Sequence, residues 1–147
     1  MKKIIVLIAI ILLSGCTTGR VVTGPEQQFQ AAEVCVKEKK FKEAAAAYRK
    51  IAADAPPASP LAADALFELA LVHANHDNPQ RDYVQAIQTF EQLIKRHPDY
   101  SKIPEAQIWI SVLKTVQDLK KENEKLIESI EQLKRLDIRH EERRKGK

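Results

Sequence analysis

Apolar residues recur along this chain on one helical face at a time, and one such face occurs twice. Phe41, Ala44, Tyr48 and Ile51, followed by Pro56, correspond position by position to Tyr83, Ala86, Phe90 and Leu93, followed by Pro98, at an offset of 42 residues. Steps of three, four and three keep each set on one side of a helix. The alanine leaves room for a neighbouring helix to approach. The proline falls where the helix must stop, because it lacks an amide hydrogen and clashes with the preceding turn. An internal period of this length marks stacked helical hairpins. Each repeated helix has a predicted mate before it. The first runs from Pro25 to Lys39, with Phe29, Ala32, Cys35 and Val36 inward. The second runs from Pro60 to Ala74, with Ser59 at the N-cap and Leu66, Leu69, Ala70 and His73 inward. A third helix of this type starts at Ser101 or Ile103, since Ile108-Trp109 aligns with Leu66-Phe67 at the same offset.

The third helix is not predicted to turn back. From Val116 no Gly or Pro occurs before Gly146, and the apolar spacing changes to alternating threes and fours. Val116, Asn123 and Ile130 take heptad position a, and Leu119, Leu126 and Leu133 take d. A lone Asn among apolar a positions suits a parallel two-stranded coiled coil, where it meets its own copy across the axis. Opposite Leu or Ile it would be left unsatisfied. Glu122 at g would face Ile127 at e, giving no ion pair. Two readings stay open: a seam for a homodimer, or a stripe laid back on the repeat domain or against another protein. The basic end (Arg135, Arg139, Arg143, Arg144, Lys145, Lys147) suits a helix C-terminus, and reads as a solvated end or a contact for anionic envelope material.

At the other end, Lys2 and Lys3 precede ten apolar residues, Ile4 to Leu13, too short to span a bilayer, which takes about 20. Leu13-Ser14-Gly15-Cys16 follows, with small residues before the cysteine. This resembles the lipobox of bacterial lipoproteins. The resemblance implies cleavage before Cys16, a diacylglycerol thioether on Cys16, and an anchored mature chain. Thr17 rather than Asp after the cysteine implies, by the same resemblance, the outer membrane. Residues 1–15 are thus expected to be a signal and 16–25 a lipidated tether.

Few glycines and a low aromatic share argue against an all-β fold. Loss of Lys2 and Lys3 would lower the formal charge of +4 by two, too little to argue for nucleic acid. With Cys16 lipidated, Cys35 has no intramolecular partner, and its neighbours Val34 and Val36 mark it as a small core residue, with an intermolecular bridge as the alternative. No phosphate loop or nucleophile elbow is present. His73 and His76, with Asp77 beside them, share a helical face, but no Cys or third His lies near in sequence. The expectation is a non-enzymatic chain without metal or cofactor beyond the lipid.

The motif Ala-x-x-x-Phe/Tyr-x-x-Ile/Leu ending in Pro resembles the second helix of a tetratricopeptide repeat. Ala32 lies twelve residues before Ala44, the spacing of that repeat's small residues; Ala70 lies sixteen before Ala86, with the loop His76 to Asp82 taking up the difference. The expected fold is all-α: a tetratricopeptide-like hairpin stack of about two repeats over 26–115, then a long coiled-coil-like helix with a basic tail over 116–147. Phe29, Phe67 and Trp109, with Leu71 and Leu113 beside them, either line a partner-binding groove or pack in the core. The layout, with its tail Leu133 to Arg144, is similar to QseG-type lipoproteins that accompany sensor histidine kinases, and more distantly to BamD-type lipoproteins of outer-membrane assembly. The first resemblance implies contact with a kinase's periplasmic domain, the second a role in envelope assembly.

Overall fold

Pro25 opens the first helix, where a missing amide hydrogen costs nothing. In the computed structural model, which describes residues 24–56 and 58–145, α1 runs Pro25–Lys37, α2 Phe41–Asp54, α3 Pro60–Ala74, α4 Tyr83–Arg96 and α5 Ile103–Lys145. These are all helices, with no strand among the described residues. The expected signal, Cys16 and most of the tether lie outside the described residues, as do Gly146 and Lys147.

α1 ends two residues earlier than its pattern predicts. Lys39 adopts φ 59°, the left-handed region. The Lys39 N–H then donates to the Val36 carbonyl at 3.0 Å and the Lys40 N–H to that of Cys35 at 2.8 Å. This pair of bonds is a Schellman stop, here built without glycine. α2 begins directly after it.

α1 and α2 form one hairpin, α3 and α4 a second, and α5 packs on α4; α1 also touches α3. The repeat positions make the core. Ala44, Tyr48, Ala86, Phe90 and Leu93 are fully buried, and Ile51 and Phe41 nearly so. α3 lies between α2 and α4 and is therefore apolar nearly all round, burying Ala62, Ala63, Ala65, Leu66, Phe67, Leu69, Ala70 and Val72. Its alanines admit both neighbours at close range.

The longer link between α3 and α4 is stitched rather than loose. Asn78, 4 % exposed, donates to the Val72 carbonyl at 2.9 Å and accepts from the Gln80 N–H at 2.9 Å. The Asp82 N–H donates to the His73 carbonyl at 2.9 Å. The Asp82 carboxylate caps α4, accepting from the N–H groups of Val84 and Gln85 at 2.9 and 3.0 Å.

α5 has 43 residues. Only its first part joins the stack, through Ala106 and Leu113. An exposed ion pair between Lys114 and Glu91, 3.5 Å, ties it to α4, and Gln117, half-buried, lies near Tyr83 at the start of α4. Residues 125–145 alone extend about 30 Å at 1.5 Å per residue. The stripe from Val116 to Leu133 is exposed, so it does not fold back on the repeat domain.

Candidate partner-binding surfaces

The aromatic residues do not form one ladder. Each pairs with the repeated aromatic of its own hairpin. Phe29 meets Tyr48 edge-on at 5.2 Å, and Phe67 meets Phe90 edge-on at 5.5 Å. Phe67 also lies 6.4 Å from Tyr100, with the Lys102 ammonium 4.8 Å from its ring centre. Phe67 and Leu113 are buried, which places both in the core rather than on an open groove. Phe29, Leu71 and Trp109 are half-buried against that core. Trp109 stands where Phe67 stands one repeat earlier, yet no helix following α5 supplies it with a ring among the described residues.

Polar groups gather on the faces of α1, α3 and α5 beside these rings. Tyr100 donates to Asp64, and Lys102 sits 3.9 Å from the same carboxylate. Burial, then this hydrogen bond, pushes the Tyr100 hydroxyl above its ordinary range. Burial also raises the Glu68 carboxyl; Lys102 counters this, while Glu33, Asp64 and Glu105 add to it. Tyr48 is fully buried and its hydroxyl has no hydrogen-bond partner among the described residues.

The two histidines do not converge on a metal-like site. His73 is half-buried, and burial, then the Arg49 charge, lowers its pKa. His76 is exposed, with Nε2 3.0 Å from Asp77, whose other oxygen meets Lys39 at 2.8 Å. Among the described residues no group of three His, Cys, Asp or Glu side chains is placed to hold a metal. Cys35 is free and half-buried against the core.

Most of the exposed large apolar side chains among the described residues are on α5. Val116, Leu119, Leu126, Ile130 and Leu133 are between 37 and 65 % exposed. Asn123 sits among them, equally outward. The stripe starts earlier than the sequence reading placed it: Ile108 and Val112 are 64 and 46 % exposed. Trp109 and Val112 are seven residues before Val116 and Leu119, so they continue positions a and d back into the repeat domain. That spacing was the available signal, masked because both residues also fit the repeat. Val112 directly precedes buried Leu113, so the stripe lies about 100° round the helix from the face on α4. Leu136 and Ile138 extend the exposed apolar surface without keeping the heptad. The basic end is exposed, with ion pairs at one-turn spacing (Glu131 with Arg135, Glu141 with Lys145), both 3.9 Å. No described helix is long and apolar enough to cross a membrane.

A tetratricopeptide repeat family model matches residues 64–100, from within α3 through α4 to Tyr100. No curated protein and no solved structure matches the chain. The matched segment carries the second hairpin, and the first hairpin repeats its geometry at Ala44, Tyr48 and Ile51. The fold is therefore a helical hairpin stack with a tetratricopeptide-like repeat and a long C-terminal helix, a repeat type whose general role is protein–protein interaction.

Proposed function

We propose that this chain is a lipid-anchored interaction module of the bacterial envelope, in which α5 presents the association surface. The observation that carries the reading is the exposed stripe on α5. A soluble helix ordinarily turns its apolar face inward. Here that face runs from Ile108 to Leu133, about 38 Å, uncovered by the other described residues. The lipobox-like Leu13-Ser14-Gly15-Cys16 supports an anchor at Cys16, with Thr17 favouring the periplasmic face of the outer membrane. The partner to test first for the repeat domain is the periplasmic domain of a sensor histidine kinase, on the similarity of the tail. A subunit role in outer-membrane or envelope assembly is the second reading, resting on the lipobox-plus-repeat layout.

Two experiments test this. Metabolic labelling with palmitate should mark the chain and fail for Cys16→Ser; equal labelling of both removes the anchor. A purified periplasmic sensor domain should be retained by the wild-type chain on a surface. Equal retention by an unrelated periplasmic domain removes the kinase reading.

A further inference from the structure

We infer that the stripe on α5 is occupied by α5 of a second copy of this chain, parallel and in register, covering the flank that the first two hairpins cover with their own antiparallel second helix. The inference rests on the reading of α5 as an association surface and names its occupant.

Three observations converge. The first is the unfilled hairpin. In both complete hairpins the first helix offers an aromatic ring to an aromatic ring of the second: Phe29 to Tyr48 and Phe67 to Phe90. α5 repeats the first-helix pattern, with Trp109 in the place of Phe67, and no following helix meets it among the described residues. Ile108, Val112 and Val116 stay exposed on that flank.

The second is the frame. Trp109, Val116, Asn123 and Ile130 hold position a, and Val112, Leu119, Leu126 and Leu133 hold d, giving four heptads in which Asn123 is the one polar member. In a parallel pair each a residue meets the same residue of its partner, so Asn123 meets Asn123 and their amides can bond each other. In an antiparallel pair a residues face d residues. The matching layers then set Leu119 against Ile130 and Asn123 against Leu126, leaving two buried amides unsatisfied at a cost characteristic of such groups. An unrelated helix would need its own polar group at that one layer.

The third is charge along the seam. In the parallel register Thr115 faces Lys120 of the other copy, Glu122 faces Ile127, and Ser129 faces Lys134. No like charges oppose each other. The same register puts both repeat domains at one end of the pair, so that two anchors reach one membrane and the outer faces of both domains stay free for a further partner.

Disulfide trapping of the full chain in membranes tests this. Leu119→Cys and Val112→Cys are made in a Cys35→Ser background, whose unmodified parent serves as the blank for Cys16; Lys121→Cys, on the opposite face, is the control. In the parallel pair each seam cysteine meets its own copy within the ~4.4–6.8 Å Cα separation that a disulfide spans. Oxidation should convert most of both seam variants to covalent dimers and leave Lys121→Cys monomeric. An antiparallel pair sets the two copies of residue 119 eleven residues apart, about 16 Å. It would instead link Leu119→Cys chains to co-expressed Ile130→Cys chains, and that result overturns the parallel register. Absence of any seam disulfide overturns the second copy as occupant. Maleimide reactivity at residue 119 then separates the two failures. A shielded thiol leaves α5 as a surface for another protein, and a freely reactive one removes the association reading as well.

Discussion

Tyr48→Phe should stabilise this protein, although it deletes a polar group from a tyrosine packed on every side. Tyr48 and Phe90 occupy equivalent repeat positions, and both are fully buried. Each meets an aromatic ring of the preceding helix edge-on at nearly the same distance, 5.2 and 5.5 Å. The difference between the sites is one hydroxyl, and it has no hydrogen-bond partner among the described residues. A buried hydroxyl without a partner costs roughly 1–3 kcal/mol. Removing it leaves a gap the size of one oxygen, and the cavity penalty of ~24 cal/mol per Å³ returns only a few tenths of a kcal/mol. The net gain is about 1–2 kcal/mol, with each kcal/mol raising Tm by about 4–8 °C in a domain of this size. The reverse change, Phe90→Tyr, should cost a similar amount. Thermal unfolding followed through Trp109, the chain's single tryptophan, reads both. Alkali supplies a second arm. Burial first, then the charges of Glu68 and Glu33, raises the Tyr48 pKa above its ordinary 10. A group with a raised folded pKa contributes its stability below the unfolded pKa, and that contribution is lost as pH rises through the folded pKa. The unfolded chain alone ionises in that window. The advantage of Tyr48→Phe should therefore widen above pH ~10, by up to ~1.4 kcal/mol per pH unit. A clear fall in Tm for Tyr48→Phe at pH 7 would show that the hydroxyl is hydrogen-bonded in solution, and the reasoning would fail.

Other expectations are as direct. Asp82→Ala should cost about 1 kcal/mol in urea unfolding, because its carboxylate accepts two of the orphan N–H groups of α4, while Asp82→Asn should lose only a few tenths; equal losses would refute the capping role. At position 39 stability should rank Gly at or above Lys, with Val about 1 kcal/mol below, because φ is 59° and the ion pair to Asp77 is exposed; a Lys39→Val variant as stable as wild type would count against the left-handed stop. Burial lowers the pKa of His73 and of His97. A depressed histidine contributes stability above its unfolded value near 6.5, lost as pH falls through the folded pKa. Tm should therefore drop on acidification from pH 7 to 5, and His73→Gln should flatten part of that drop; an unchanged slope would contradict the assignment.

How far the sequence could be read depended on the kind of force at each position. The 42-residue echo of Ala44, Tyr48 and Ile51 in Ala86, Phe90 and Leu93 was legible because tight helix packing constrains both volume and period, and all six are buried. The bounds of α3 followed from Pro60 and the polar run after Ala74. The stop of α1 was not legible, since Lys39 enters the left-handed region without the glycine that normally announces it. The Asp82 cap was not legible, because a cap depends on which residue starts the next helix, a boundary that apolar spacing locates poorly. Periodicity put Phe67 and Leu113 on the correct faces but could not say what covers a face, so groove and core were indistinguishable until α4, Tyr100 and Lys102 were seen around Phe67. For α5 the lack of Gly and Pro after Val116 did foretell an unbroken helix. Its direction away from the stack depended on the angle of about 100° between stripe and packed face.

The central claim is that the uncovered stripe on α5 is an association seam, and the most direct measurement is the buoyant mass of the full chain by sedimentation equilibrium in density-matched detergent, beside Leu119→Ser/Leu126→Ser. Each leucine buried in a seam contributes about 1.5–3 kcal/mol, so losing two from each copy should weaken association by many orders of magnitude. The account requires twice the mass of a single mature, lipidated chain for the wild type and once that mass for the double variant. The same single-chain mass for both, across the accessible concentration range, would contradict it.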